Sequence, residues 1–388
     1  MPDTDPEVIV AGHICLDIFP VFDEQTSANE VIIPGKLVKV GPALIAVGGS
    51  VANTGLTLHR LGITTRLMGK VGDDLFGQAI QETIKSNGER LAEYMIVSPG
   101  AHSSYSIVIS PPGRDRTFLH HPGVNDSYSA EDIPLEPLSR SSLFHFGYPP
   151  LMRAIYSDGG VSFARLLSAI KERGVTTSLD MALPDPESEA GSVDWPVWLQ
   201  RVLPSVDVFA PSEDEIKYML GYSREEPPLD GSQLAEIGTR LLDMGTAMVV
   251  LKLGEHGLYL RTTDDARRLQ LTGTRVFKDW RKWHQRELLS PCFRVEVAGT
   301  TGAGDCTIAG FLATILHDVE PEEALLTAAA VGAYSVERAD ATSGVPSWVN
   351  VQRRIQAGWQ QYMPGIPLPG WQQNVHNALW RGPYDRHG

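Results

Sequence analysis

The sequence predicts a Rossmann-like three-layer α/β/α sandwich that carries a small β-sheet lid. Short β-branched apolar runs alternate with segments of helical period, as parallel strands joined by crossover helices require. Two strand-like stretches, 30–40 and 105–121, interrupt that alternation and read as an antiparallel outgrowth. With 388 residues, 42% of them hydrophobic, the chain can bury the core of one large α/β domain or two smaller ones.

In chain order the strands are expected at 8–11, 65–68, 143–146, 176–180, 206–209 and 247–253. Helices are expected at 51–61, 75–87, 161–172, 212–220, 232–244, 303–316 and 321–336. The lid is expected from about 19–46 and 100–125, where runs 105–110 and 116–121 flank the turn 111–115. Such an outgrowth suits a flap that folds over a ligand at the strand ends, and an ordinary edge hairpin has the same pattern. The polar, basic segment 262–291 reads as an insertion, placed where it could cover a bound ligand. Residues 349–388 read as a Trp-rich extension whose Trp359, Trp371 and Trp380 dock onto their own domain.

Charge and cysteine content exclude several function classes. With 47 acidic against 33 basic residues, the net charge of −14 repels phosphate backbones and anionic lipid surfaces, so neither nucleic acid nor membrane is expected as a partner. Three scattered cysteines make neither a disulfide framework nor a thiolate metal site. The acidic start MPDTDPEVIV lacks an export pattern, and a soluble, cytoplasmic protein is the expectation.

The most informative stretch is 298–312, AGTTGAGDCTIAGFL, a glycine-rich turn running into an amphipathic helix. Gly302 and Gly304 allow close backbone approach. The helix start over Gly302, Ala303 and Gly304 then offers amide N–H groups and a partial positive charge to an anion. Asp305, in the first helical turn, either complements the helix dipole or accepts a proton from an attacking hydroxyl beside that anion site. Upstream, Gly48 and Gly49 open a second helix that carries Asn53, an amide able both to donate to and accept from a polyol. Asp17 adds a carboxylate for vicinal hydroxyls or serves a turn.

Five stretches, taken together and in order, resemble the motifs of the ribokinase-like (PfkB) carbohydrate kinase family. They are Gly48-Gly49-x-x-x-Asn53, GKVGDDLFG at 69–77, PSEDE at 211–215, LGEHG at 253–257 and TTGAGD at 300–305. The resemblance implies a ribokinase-like kinase domain over 1–348, ATP and Mg²⁺ as cofactors, and a sugar or polyol as substrate. It implies Asp305 as general base, with the backbone of Gly302, Ala303 and Gly304 as anion hole. Asp17, Gly48, Gly49, Asn53, Tyr148, Asn125 and Arg116 fall on the substrate side. Ser212, Lys252, Gly254, Thr300, Gly302 and Gly304 fall on the nucleotide side, and Glu215 positions Mg²⁺ through water. Homodimers through the lid are common in the family. A nucleoside kinase of the same fold and a sugar-sensing protein without activity are the alternatives.

The departures from the family pattern are informative. Ser212 replaces an asparagine. Gly299 replaces an aspartate that often helps to hold a monovalent cation, so the resemblance leaves potassium activation open. Tyr148 replaces a polar or acidic ribose contact and is expected to face a sugar ring. In 69–77, Asp73 or Asp74 is expected to cap a helix, and the histidines His13, His145 and His256 are expected to be structural.

Overall fold

The run VIVAG at Val8–Gly12 is buried at every position, and a strand buried on both faces needs a layer of helices on each side. Successive side chains point to opposite faces, so Val8 and Val10 enter one hydrophobic core and Ile9 and Ala11 the other. The computed structural model describes residues 5, 7–23, 31, 33–113, 117–223, 229–273, 275–374 and 378–386.

Six parallel strands form the body of the main sheet, in the order Thr65–Met68, Val8–Gly12, Leu143–Gly147, Thr176–Leu179, Val208–Phe209 and Met248–Lys252. Each expected strand is present. The one at 206–209 shortens to Val208–Phe209 because the turn Leu203–Ser205 runs directly into it. Four antiparallel strands, Leu258–Thr262, Glu287–Ser290, Trp380–Arg381 and Gln372–Gln373, extend the sheet beyond Met248–Lys252. Helices Ser50–Arg60, Ala303–Leu316 and Pro321–Val336 cover one face; Val161–Lys171, Trp195–Val202 and Gly231–Asp243 cover the other. The three-layer sandwich is therefore as expected, with helix ends within a residue or so of the sequence reading.

The lid is a separate four-stranded sheet in the order Leu44–Gly48, Cys15–Phe19, Tyr105–Ile109 and Thr117–His121. Its hairpin matches expectation, but no strand forms among the described residues of 30–40. Cys15–Phe19 and Leu44–Gly48 take that place, because they leave the main sheet at Gly12 and re-enter it through the helix at Ser50.

Segment 262–291 requires a correction. Its last residues, Glu287–Ser290, are a core strand, not inserted chain. The described residues of the intervening loop lie at the amino ends of the parallel strands. There Arg268 donates to the Val206 carbonyl and Asp207 carboxylate, Thr272 O accepts from Thr176, and Arg275 donates to the Ser141 carbonyl, all at the starts of parallel strands. It cannot cover a nucleotide from that end.

The C-terminal residues are integral to the sheet. Trp371 packs on Tyr259 with ring centroids 6.1 Å apart. The buried Asp385 carboxylate accepts from Arg286 Nε and Glu287 N, each at 3.0 Å. Replacing Asp385 by Ala leaves Arg286 short of one of its anions, and breaking a buried pair in this way costs about 3 kcal/mol. Urea unfolding of the Asp385→Ala chain should show that loss.

Candidate active site

Gly302 has φ 69°, and a Cβ there would lie 2.4 Å from the Ala341 Cβ and 3.1 Å from Asn53 Nδ2. Only glycine meets both conditions without strain, and the residue opens Ala303–Leu316 with no side-chain cap. The uncapped start leaves a partial positive charge facing the cleft. Ala303 N–H is directed to Thr300 O at 3.3 Å. Gly304 answers a different need: a Cβ there would stand 3.3 Å from the Lys252 side chain.

Asp305 follows at once and is 2% exposed. Its Oδ2 accepts from Asn53 Nδ2 at 2.9 Å and from the Tyr148 hydroxyl at 2.8 Å. Oδ1 is buried without a partner. Burial pushes the carboxyl upward in pKa; the Asn53 bond, the Lys252 charge and the Tyr148 bond oppose that push. Tyr148 directs its hydroxyl to Asp305. Its unusual φ of 66°, at the end of Leu143–Gly147, turns it there.

Lys252 ends its strand with Nζ 2.6 Å from Asp180 Oδ1. Asp180 is wholly buried, and its Oδ2 has no partner. Against its own burial, Lys252 is held above its ordinary value by the carboxylates of Asp180 and Glu215. Ser212, bridged to Lys252 by backbone pairing, forms a capping box with Glu215: Ser212 N donates to Glu215 Oε2 at 2.6 Å, and Glu215 N donates to Ser212 Oγ at 3.3 Å. Burial raises the Glu215 carboxyl, and Lys252 opposes it. A cleft of about 1110 Å³ joins Ser212, Glu215, Lys252, Gly254, Thr300 and the 302–305 turn.

On the lid side, Asp17 sits against Gly48, where a Cβ would fall 1.9 Å from its Oδ2. Gly49, φ 85°, passes over the His13 carbonyl, where a Cβ would fall 2.6 Å from the oxygen. The Cys15 thiol, raised first by its own burial, feels the charges of both Asp17 and Asp305, so the two carboxylates share one neighbourhood. Asn125 staples the backbone of Ile14: its Nδ2 donates to Ile14 O at 2.9 Å and its Oδ1 accepts from Ile14 N at 3.5 Å. Arg116 lies outside the described residues. Asp74 caps Leu75–Asn87 by accepting from Gly77 N at 2.8 Å, the cap the sequence predicts. At Gly299 a Cβ would press on the carbonyls of Ala339 and Arg338 at 3.0 and 3.1 Å, so the turn has no room for the family's aspartate without rearrangement.

Sequence reasoning missed Asp180, although a lone acid closing a buried strand is the signal for it. It also missed Tyr362 and Met363, which reach the cleft from residues read only as an extension.

The sandwich, the lid and this cleft define a ribokinase-like α/β protein. The chain belongs to the pfkB family of carbohydrate kinases, which it matches over residues 7–348. It is 26% identical over 293 residues to an uncharacterized sugar kinase of Archaeoglobus fulgidus, covering 76% of this chain and 99% of the relative. It is 28% identical over 341 residues to an ATP-dependent ribose-1-phosphate kinase of Halopiger xanaduensis, with 87% and 94% covered. Among solved structures it resembles an Arabidopsis thaliana ribokinase complexed with ribose and ATP, with TM-score 0.70, 19% identity and 90% and 98% covered. Among the described residues, no helix is long and apolar enough to cross a membrane.

Lys252→Met strips Asp180 of its cation and should destabilise the chain by about 3 kcal/mol in neutral solution. The carboxyl of Asp180 is already raised by burial. A raised acid contributes stability below its unfolded pKa that is lost as pH rises through the folded one. The gap between variant and parent should therefore narrow as pH falls, which urea titrations at several pH values would measure.

Proposed function

We propose that the chain transfers the terminal phosphoryl group of ATP to a primary hydroxyl of a sugar or sugar-like molecule. The unpartnered Oδ1 of Asp305, placed in the first turn of an uncapped helix, carries this reading. An acceptor hydroxyl at Oδ1 would give up its proton there, while the helix start attracts the charge spread over the phosphoryl oxygens. Asn53 and Tyr148 hold the other carboxylate oxygen, so the base is aimed before substrate arrives.

The donor set fits Mg²⁺. Among the described residues, no group of three His, Cys, Asp or Glu side chains could cage a metal. Mg²⁺ keeps most of its waters and binds phosphates. Glu215, on the cleft wall with one carboxylate oxygen in the capping box, would hold it through water. Bound there, the ion neutralises phosphate charge. Lys252, opposite Gly304, adds a fixed cation on the same side.

The remaining length of the cleft suits the nucleotide's base. Tyr362 and Met363, 47% and 65% exposed, stand on its wall. The Tyr362 segment is pinned by Tyr362 N to Cys292 O at 2.9 Å and Arg294 N to Gln360 O at 2.8 Å. This wall lies beyond the family match at 348.

Asp305→Asn should lower kcat by about 10²- to 10⁴-fold with little change in the KM for ATP, and steady-state assays would measure it. Because burial raises the Asp305 carboxyl, the rate should decline on acidification at a pH above that of an ordinary carboxylate. Tyr148→Phe removes a donor to that carboxylate, so the acid limb should move toward neutrality. Tyr362→Ala should raise the KM for ATP about tenfold and leave the acceptor KM unchanged; an unaltered ATP KM would remove Tyr362 from the base site.

A further inference from the structure

Two imidazoles near Asp305 have no part in the chemistry above. His13, in the turn after Val8–Gly12, is 2% exposed, and neither ring nitrogen has a hydrogen-bond partner. Its ring centroid lies 5.4 Å from that of His120 and 6.1 Å from that of Tyr148, whose hydroxyl holds Asp305. Its Nδ1 faces Gly49, where a Cβ would come within 2.7 Å. An imidazole stripped of water at both nitrogens forgoes the stabilisation of each unmade bond. Such a group calls for a functional explanation. His145 differs, because Ser178 Oγ anchors its Nδ1 at 3.0 Å.

His120 reaches the same place from the lid. In the lid register Asp17 pairs with Ser106, and Ser106 with His120. Directly paired residues project to the same side of a sheet, so a carboxylate, a hydroxyl and an imidazole stand in a row across three strands. Ser106 Oγ lies 3.1 Å from His120 Nδ1 and fixes that ring.

We propose that His13 and His120, with Asp17, form the acceptor-recognition site, and that they read the hydroxyls of a neutral polyol of monosaccharide size. This rests on the phosphotransfer reading above. A neutral imidazole offers one donor and one acceptor, the complement of a hydroxyl, which is also both. Burial, then the neighbouring His120, lowers His13 to about 3; burial, then His121, lowers His120. The described wall is therefore two carboxylates and two imidazoles, the His13 ring buried and the His120 ring on an exposed strand, and it welcomes hydroxyls and repels an acceptor bearing a phosphate or carboxylate. Because His120 sits on the lid and His13 on the main sheet's loop, one ligand touching both would tie the lid to the body.

The test is steady-state phosphoryl transfer from ATP by the full chain to D-ribose, D-fructose and ribitol, set against ribose 1-phosphate and adenosine. The parent chain should phosphorylate at least one neutral polyol. His13→Phe and His120→Phe, which keep ring volume, should each raise that acceptor's KM by about 10- to 100-fold. The KM for ATP and the rise in Tm on adding ATP should stay as in the parent, which a merely structural loss would not allow. His13→Gln, with a donor and an acceptor, should recover part of the effect and serves as the test if His13→Phe does not fold. Unchanged acceptor KM in these variants overturns the inference, as does transfer only to ribose 1-phosphate or adenosine, which leaves the kinase reading intact. Transfer to none of the panel would take down the kinase reading and this inference together.

Discussion

Everything in the site depends on a single left-handed residue. Gly302 lets the chain turn from the 298–301 segment into Ala303–Leu316 while passing close to Ala341 and Asn53, which sets the helix start and the Asp305 carboxylate side by side. Asn53 and Tyr148 then grip that carboxylate from a helix and a strand end 252 and 157 residues away in sequence. A side chain at 302 would have to displace one of those partners.

The sheet's polarity does the rest. Gly12, Gly147, Asp180 and Lys252 all stand at or just past the carboxyl ends of parallel strands. Ligands of open α/β sheets bind at that end. The lid leaves the sheet there too, at Gly12, and returns through Gly48 and Gly49. This arrangement brings Asp17, Ser106 and His120 over the strand ends, whereas the 263–286 loop is confined to the other edge.

Several acids share that small volume. Asp180, Glu215 and Asp305 are all raised by burial and all feel the ammonium of Lys252. Burial of these acids around one ammonium gathers perturbed titratable groups in one small volume, a pattern that clusters at functional sites.

The amino-acid order alone determined the alternating strands and helices, the glycine turns and the place of Asp305, because periodicity, capping and left-handed glycines are local properties. Motif order was likewise legible from residues 48 to 305. Only tertiary structure decided that Tyr148 holds the Asp305 carboxylate and that Asn125 staples a backbone. It also decided that Asp180 pairs with Lys252, that Glu287–Ser290 is a core strand, and that Tyr362 and Met363 wall the cleft. Each of these is a contact between segments far apart in sequence. Its partner is chosen by sheet order and crossover geometry, and neither leaves a periodic trace in the residues themselves.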